Sequence, residues 1–151
     1  MVMGASMRPT SRVRGWLGCV IFLCGFAIAF TAPAAAQQTT SVPLVLQDFS
    51  DCTNANVSDP NGLLTRGTVW ITRNTDGTTT LKIGITLVPN TVYHFFLKCV
   101  RILGDIKTGD EGIGEATFTF PTNSTGNIYA FDVYPEGAPA GNKMQSMQVR
   151  F

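Results

Sequence analysis

Between Gly67 and Leu103 (GTVWITRNTDGTTTLKIGITLVPNTVYHFFLKCVRIL) period, turns and apolar content agree, and no other stretch limits the fold as tightly. Leu81, Ile83, Ile85 and Leu87 alternate with Lys82, Gly84 and Thr86, the two-residue period of a strand with one buried face. Asp76-Gly77 supplies residues that tolerate positive φ, so Val69-Trp70-Ile71 is expected to fold back on Leu81 to Leu87 as a hairpin. Val92 to Leu103 is apolar at nearly every position, which predicts a central strand covered on both faces or one whose outer face meets something. The stretch reads as three consecutive antiparallel strands.

The chain opens differently. Arg8, Arg12 and Arg14 precede an apolar run from Trp16 to Phe30, and Ala34-Ala35-Ala36 offers small residues for cleavage. That order is the one expected of a secretory signal peptide over residues 1–36, an apolar signal helix that is removed. The run is shorter than the roughly 20 residues a spanning helix needs, so no stable membrane span is expected after cleavage. Residues 37–151 then form a single secreted or periplasmic domain, about 115 residues, enough for one core but not two. Removing the segment leaves eight Lys or Arg against ten Asp or Glu, a net charge of −2. A nucleic-acid partner, which calls for a basic surface, is excluded on that balance. Two cysteines remain, Cys52 and Cys99, and in an oxidising compartment an isolated pair predicts a disulfide, since closed metal sites generally want four ligands.

The rest of the exported portion repeats the strand signal. Gln37 to Ser41 is polar and expected to fray, Val42 to Phe49 reads as a first strand with Pro43 at an edge or start, and Ser50 to Thr65 as a long loop tethered by Cys52. Gly104 to Gly114 breaks the chain with four glycines and three acids, and Glu115 to Phe120 resumes alternation with Ala116, Phe118 and Phe120 on one side. Asn127 to Tyr134 places Tyr129, Phe131 and Val133 on one face. After a Pro/Gly loop from Pro135 to Asn142, Met144 to Phe151 closes the chain with Met147, Val149 and Phe151 inward. About seven strands at short spacing, with no helical period after residue 36, predict an all-β fold, an antiparallel β-sandwich.

Leu87-Val88-Pro89-Asn90-Thr91-Val92-Tyr93 resembles the L-x-P-x-T-x-Y corner of fibronectin type III and related immunoglobulin-like sandwiches. The resemblance implies that Pro89 and Asn90 turn the chain and that the Tyr93 hydroxyl bonds back to the backbone as the chain crosses between sheets. Cys52, Trp70 and Cys99 follow the Cys, Trp, Cys order of immunoglobulin domains, although Tyr93 stands six residues before Cys99 where that family places its Tyr two before.

Chemistry-bearing residues are sparse. His94 is the sole histidine, and the chain has neither an H-E-x-x-H nor a G-x-S-x-G string, so it is expected to sit beside Tyr93 on a strand face. One histidine also weighs against the metal chemistry of copper/zinc superoxide dismutase-like domains, while leaving room for a metal-free relative on that scaffold. Asp105, Asp110 and Glu111 gather in a Gly-rich loop but not at calcium-loop spacing, which makes a solvated hairpin tip the expectation. Asp48 with Asp51, or Asp110 with Glu115, could pair as the two acids of a glycosidase, yet a domain this small offers little cleft. Asn56-Val57-Ser58 and Asn123-Ser124-Thr125 match glycosylation sequons and read as turn residues.

What remains is surface. Trp70, Phe96, Tyr129 and Tyr134 exceed what one inner face holds, so either both faces of the Val92 to Leu103 strand are covered or some of the four form an exposed aromatic patch for a protein or glycan at the cell envelope. The sequence therefore points to an exported, non-enzymatic binding or structural module without a metal or cofactor. The alternatives are a small secreted enzyme, either a hydrolase or on a superoxide dismutase-like scaffold, and an assembly subunit exchanging Val42 to Phe49 or Met144 to Phe151 as a strand.

Overall fold

The computed structural model describes residues 37–49, 51–135, 137–138 and 143–151; the expected signal segment, 1–36, and part of the Pro135 to Asn142 loop lie outside them. The described residues are all-β apart from one short 3-10 turn, Thr122–Ser124. Ten strands form: β1 (Gln38–Leu46), β2 (Thr65–Arg73), β3 (Thr78–Thr86), β4 (Val92–Leu97), β5 (Arg101–Lys107), β6 (Ile113–Pro121), β7 (Ile128–Tyr129), β8 (Phe131–Tyr134), β9 (Met144–Ser146) and β10 (Val149–Arg150). Eight of them make one antiparallel sheet in the order β5-β4-β8-β9-β1-β2-β3-β6, and β7 pairs with β10 in a small second sheet. Among the described residues no helix is long and apolar enough to cross a membrane.

The large sheet curls until it is nearly barrel-shaped. Its two end strands, β5 and β6, are joined by a tight turn in which the Gly109 amide donates to the Ile113 carbonyl. Phe118 of β6 lies directly on Gly104 of β5, where any Cβ would collide with its ring. The same ring stacks on Phe95 of β4 at 5.6 Å between centroids, filling the seam between the sheet's ends.

The alternation read from the sequence decides which face is inside. Val69 and Ile71 of β2, and Leu81, Ile83 and Ile85 of β3, are fully or almost fully buried. Leu44, Phe95, Leu97, Ile106, Phe120, Phe131 and Val149 join them in one core. Burying each such side chain contributes about 1.5–3 kcal/mol before entropy is charged against it.

The Tyr93 corner connects the two halves of the sheet. The Val88 amide donates to the Tyr93 hydroxyl at 3.2 Å, as the resemblance implied, and Asn90 takes φ +54°. Thr108, in the β5–β6 turn, donates its hydroxyl to the carbonyls of Val88 (2.7 Å) and Thr91 (3.1 Å) and accepts from the Thr91 amide (3.0 Å). The corner carries the chain from β3, past β6 and β5, to β4.

Several element boundaries differ from expectation. Gln38 to Ser41 does not fray: it pairs with Trp70 to Arg73, because a backbone flanked by a strand gains ladder bonds whatever its side chains. Val92 to Leu103 is not one strand. It is β4 and β5 joined by a turn at residues 98–100, where Cys99 adopts φ +58°, so its unbroken apolar run covers a hairpin. The expected loop from Gly104 accordingly shrinks to residues 108–112, and Asn127 to Tyr134 divides at Ala130 between the two sheets. Met144 to Phe151 divides likewise into β9 and β10, with Met147 and Phe151 packed against the core.

Candidate functional site on the outer face of β4, β8 and β9

In β4 the inward residues are Tyr93, Phe95 and Leu97, which leaves His94, Phe96 and then Lys98 on the outer face. Register aligns Ile102, Phe96, Asp132, Gln145 and Val45 across β5, β4, β8, β9 and β1. Half of this outer face is covered and half is open.

The covering piece is the long connection between β1 and β2. Its disulfide is present, Cys52 to Cys99 with 5.5 Å between Cα atoms, and both cysteines are exposed. Two aspartates shape the segment from within. Asp51 accepts from the amides of Ala55 and Thr53 and from the Thr53 hydroxyl, bonds that hold its carboxyl below the usual carboxylate range. Around Asp59 burial raises the pKa, but bonds from the Thr65 hydroxyl and the amides of Leu64, Thr65 and Leu63 outweigh it and leave it lowered.

Beneath the segment lies a buried polar cluster. Lys98 Nζ donates to the Phe49 carbonyl and to Asn54 Oδ1, both at 2.6 Å, and stands 3.6 Å from Asp132 Oδ1. Asn54 Nδ2 donates to the carbonyls of Ser146 (3.0 Å) and Phe131 (3.3 Å). Gln145 takes both polar groups of Phe49, accepting from its amide at 2.7 Å and donating to its carbonyl at 2.8 Å, and donates to Asp132 at 3.3 Å. The Ser146 hydroxyl accepts from the Phe131 amide. Burial pushes the Asp132 carboxyl above its ordinary value, with Lys98, Asn54 and Gln145 holding back the rise. Satisfied this fully, the cluster fixes the segment in one position.

The open half is aromatic. Phe96 and Tyr134 stack at 4.7 Å with their planes 8° apart, and His94 meets Phe96 edge-on at 6.3 Å. His94 Nδ1 lies 2.7 Å from Asp105 Oδ1 across the β4–β5 pair. Lys143 Nζ sits 5.0 Å over the Tyr134 ring and 3.8 Å from Asp48. Ile102 and Val100, both about half exposed, extend the apolar border.

The four aromatic residues singled out in the sequence therefore separate. Phe96 and Tyr134 come together. Trp70 stands on the far part of the outer face, 43% exposed, with its ring over Gly84. Tyr129 is in the core, edge-on to Phe120 and Phe131, and burial pushes its hydroxyl up to about 12 against the opposing effect of Arg73. Asp105 pairs with His94, whereas Asp110 and Glu111 occupy the exposed tip of the β5–β6 turn. Among the described residues no three His, Cys, Asp or Glu side chains converge to hold a metal. The described residues enclose no pocket.

The Lys98, Asn54, Asp132 and Gln145 cluster was not anticipated. Its trace in the sequence is thin: Lys98 is the one charge in FFLKCV and adjoins Cys99, while Asn54 follows Cys52 by two. Pairing the cysteines brings Lys98 and Asn54 together.

No protein-family model matches this sequence, and no curated protein shows significant similarity to it.

Proposed function

We propose that this is an exported binding module that engages a protein or glycan partner through the open outer face of β4, β5 and β8, on a sandwich-like scaffold related in architecture to immunoglobulin-like domains. The observation that carries the reading is the Phe96 and Tyr134 stack. Two aromatic side chains far apart in sequence are set side by side on the outside, next to His94, Ile102 and Val100, while the interior is filled by other residues. Aromatic and apolar groups arranged this way, rimmed by Lys143 and Asp105, have the make-up of a contact centre with a polar border. The signal-like segment over residues 1–36 supports export, and the Tyr93 corner supports the architectural likeness.

The test is co-purification from the native cell envelope or culture fluid, comparing the wild-type chain with Phe96→Ser/Tyr134→Ser. A partner retained by the wild type and lost by the double variant, with unchanged circular dichroism, supports the reading. An identical set of retained molecules overturns it.

A further inference from the structure

The buried cluster has an arrangement that goes beyond holding a loop in place. A primary amine, a primary carboxamide and a carboxylic acid meet with almost no water: the Lys98 and Asp132 side chains are 8% and 10% exposed, and Asn54 is 1% exposed. An amine and an amide in this relation can exchange, with the amine replacing ammonia. We propose that Lys98 and Asn54 form an intramolecular isopeptide bond, from Lys98 Nζ to Asn54 Cγ, with Asp132 carrying the protons.

Geometry supports each part. Lys98 Nζ is 2.6 Å from Asn54 Oδ1, and with a carbonyl bond of about 1.23 Å it lies no further than about 3.8 Å from Cγ, close to attacking distance. The amide cannot rotate away, because its Nδ2 is held by the carbonyls of Phe131 and Ser146. Asn54 itself stands at φ +52°, in the left-handed region that Asn tolerates, and its side-chain direction is set by the three hydrogen bonds at its amide. The Cys52 to Cys99 disulfide closes two residues before Asn54 and one residue after Lys98, so the reacting pair is pre-assembled by a covalent tie. Asp132 is placed against both reactants, 3.6 Å from Lys98 Nζ, and burial pushes its carboxyl above the ordinary value, which suits a group that must take up a proton and hand it on.

The step balances without a cofactor or oxidant. Asp132 takes a proton from the Lys98 ammonium, freeing the nitrogen lone pair. Nζ attacks Cγ, the carbonyl π pair moves to Oδ1, and Asp132 gives its proton to that oxygen. Asp132 then accepts a proton from Nζ and passes it to Nδ2; the oxygen's electron pair re-forms the carbonyl as the Cγ–Nδ2 bond breaks. The proton left on Oδ1 returns to the carboxylate. Ammonia leaves, and the chain becomes 17 Da lighter, the mass of NH₃. Escape of ammonia to solvent makes the bond permanent.

The experiment is mass spectrometry of the full chain produced in an exporting host. The sample is reduced and alkylated to open the disulfide, then digested with trypsin. The expected result is a branched species joining the peptide that ends at Arg66 to residues 83–101, uncleaved at Lys98 and 17 Da below the combined mass of the two peptides. Fragment ions must place the link at Asn54 and Lys98, because cyclisation of an N-terminal Gln37 removes the same mass. Lys98→Arg and Asn54→Ala should each abolish the species. Asp132→Asn should leave the circular dichroism unchanged and reduce the linked fraction at least tenfold. Recovery of the wild-type peptides only as separate linear species overturns the proposal, and full linkage in Asp132→Asn overturns the part given to the acid. The wild-type measurement decides the bond even if a variant fails to fold.

Discussion

Removing one oxygen from Tyr93 tests how the chain is carried between the two halves of the sheet. Tyr93→Phe keeps the ring, which is 5% exposed and packed in the core, and deletes only the acceptor of the Val88 amide. That bond is 3.2 Å long and part-buried, so its loss, with the amide left short of a partner, should cost about 1 kcal/mol. Thr108→Val deletes one donated proton, shared between the Val88 and Thr91 carbonyls, and one bond accepted from the Thr91 amide, from a fully buried side chain of nearly the same shape, for a cost of about 2 kcal/mol. The two side chains grip the same residue from its two sides, Tyr93 at the Val88 amide and Thr108 at the Val88 carbonyl. Once one grip is gone the corner can relax, so the double variant should lose less than the singles predict together, by about 0.5 kcal/mol or more. Urea unfolding followed by far-ultraviolet circular dichroism measures all three, with the denaturant slope expected to stay constant. The midpoint of heat unfolding should fall about 4 °C per kcal/mol in a domain of this size. A Tyr93→Phe variant within about 0.3 kcal/mol of the wild type, or strictly additive losses, would refute the reasoning.

Other perturbations separate the remaining claims. Gly112→Ala drives a Cβ into the Leu87 backbone carbonyl at φ +76° and should cost about 2 kcal/mol or more, whereas Gly126→Ala, facing open space, should stay within about 0.5 kcal/mol; equal effects in urea unfolding would contradict the packing described. Replacing Cys52 and Cys99 by serine opens a link of 47 residues, about 4 kcal/mol in the chain-entropy model, and that full loss should appear in a Lys98→Arg background. With Lys98 intact, an isopeptide bond closes nearly the same loop and the loss should be far smaller. Burial raises the Asp132 pKa, so its contribution is present below the ordinary carboxylate value and is lost as pH rises through the raised one. The stability difference between wild type and Asp132→Asn, both compared in the Lys98→Arg background, should therefore move toward Asp132 on acidification; the opposite trend would place the carboxyl in a charge-favouring site. For Tyr129, also raised, stability should fall as pH climbs from 10 toward 12, and Tyr129→Phe should remove that part of the alkaline loss.

The strand content was written in local pattern. Leu81, Ile83 and Ile85 alternate with polar neighbours, and a two-residue period leaves one arrangement that buries them together. Asp76-Gly77 fixed the hairpin, with the Asp76 carboxylate accepting from the Thr78 hydroxyl and amide and Gly77 at φ +82°. Pro89, Asn90 and Tyr93 marked the corner, because a turn of that kind depends on residues only a few positions apart. Local pattern failed where the chain is apolar throughout. In VYHFFLKCVRIL nothing separates one long strand from two short ones, since the break at residues 98–100 falls on Cys99, at φ +58° and cross-linked to Cys52, with no Gly, Pro or Asn to mark it.

Alternation determines which side chains are inside, a property of each strand alone. It says nothing of what lies over the outside, because that depends on which strands become neighbours. Phe96 and Tyr134 are separated by four strand boundaries in sequence, and Asn54, Lys98 and Asp132 by more than thirty residues at each step; only the β4-β8-β9-β1 order, with the disulfide drawing the β1–β2 connection across it, brings them within reach.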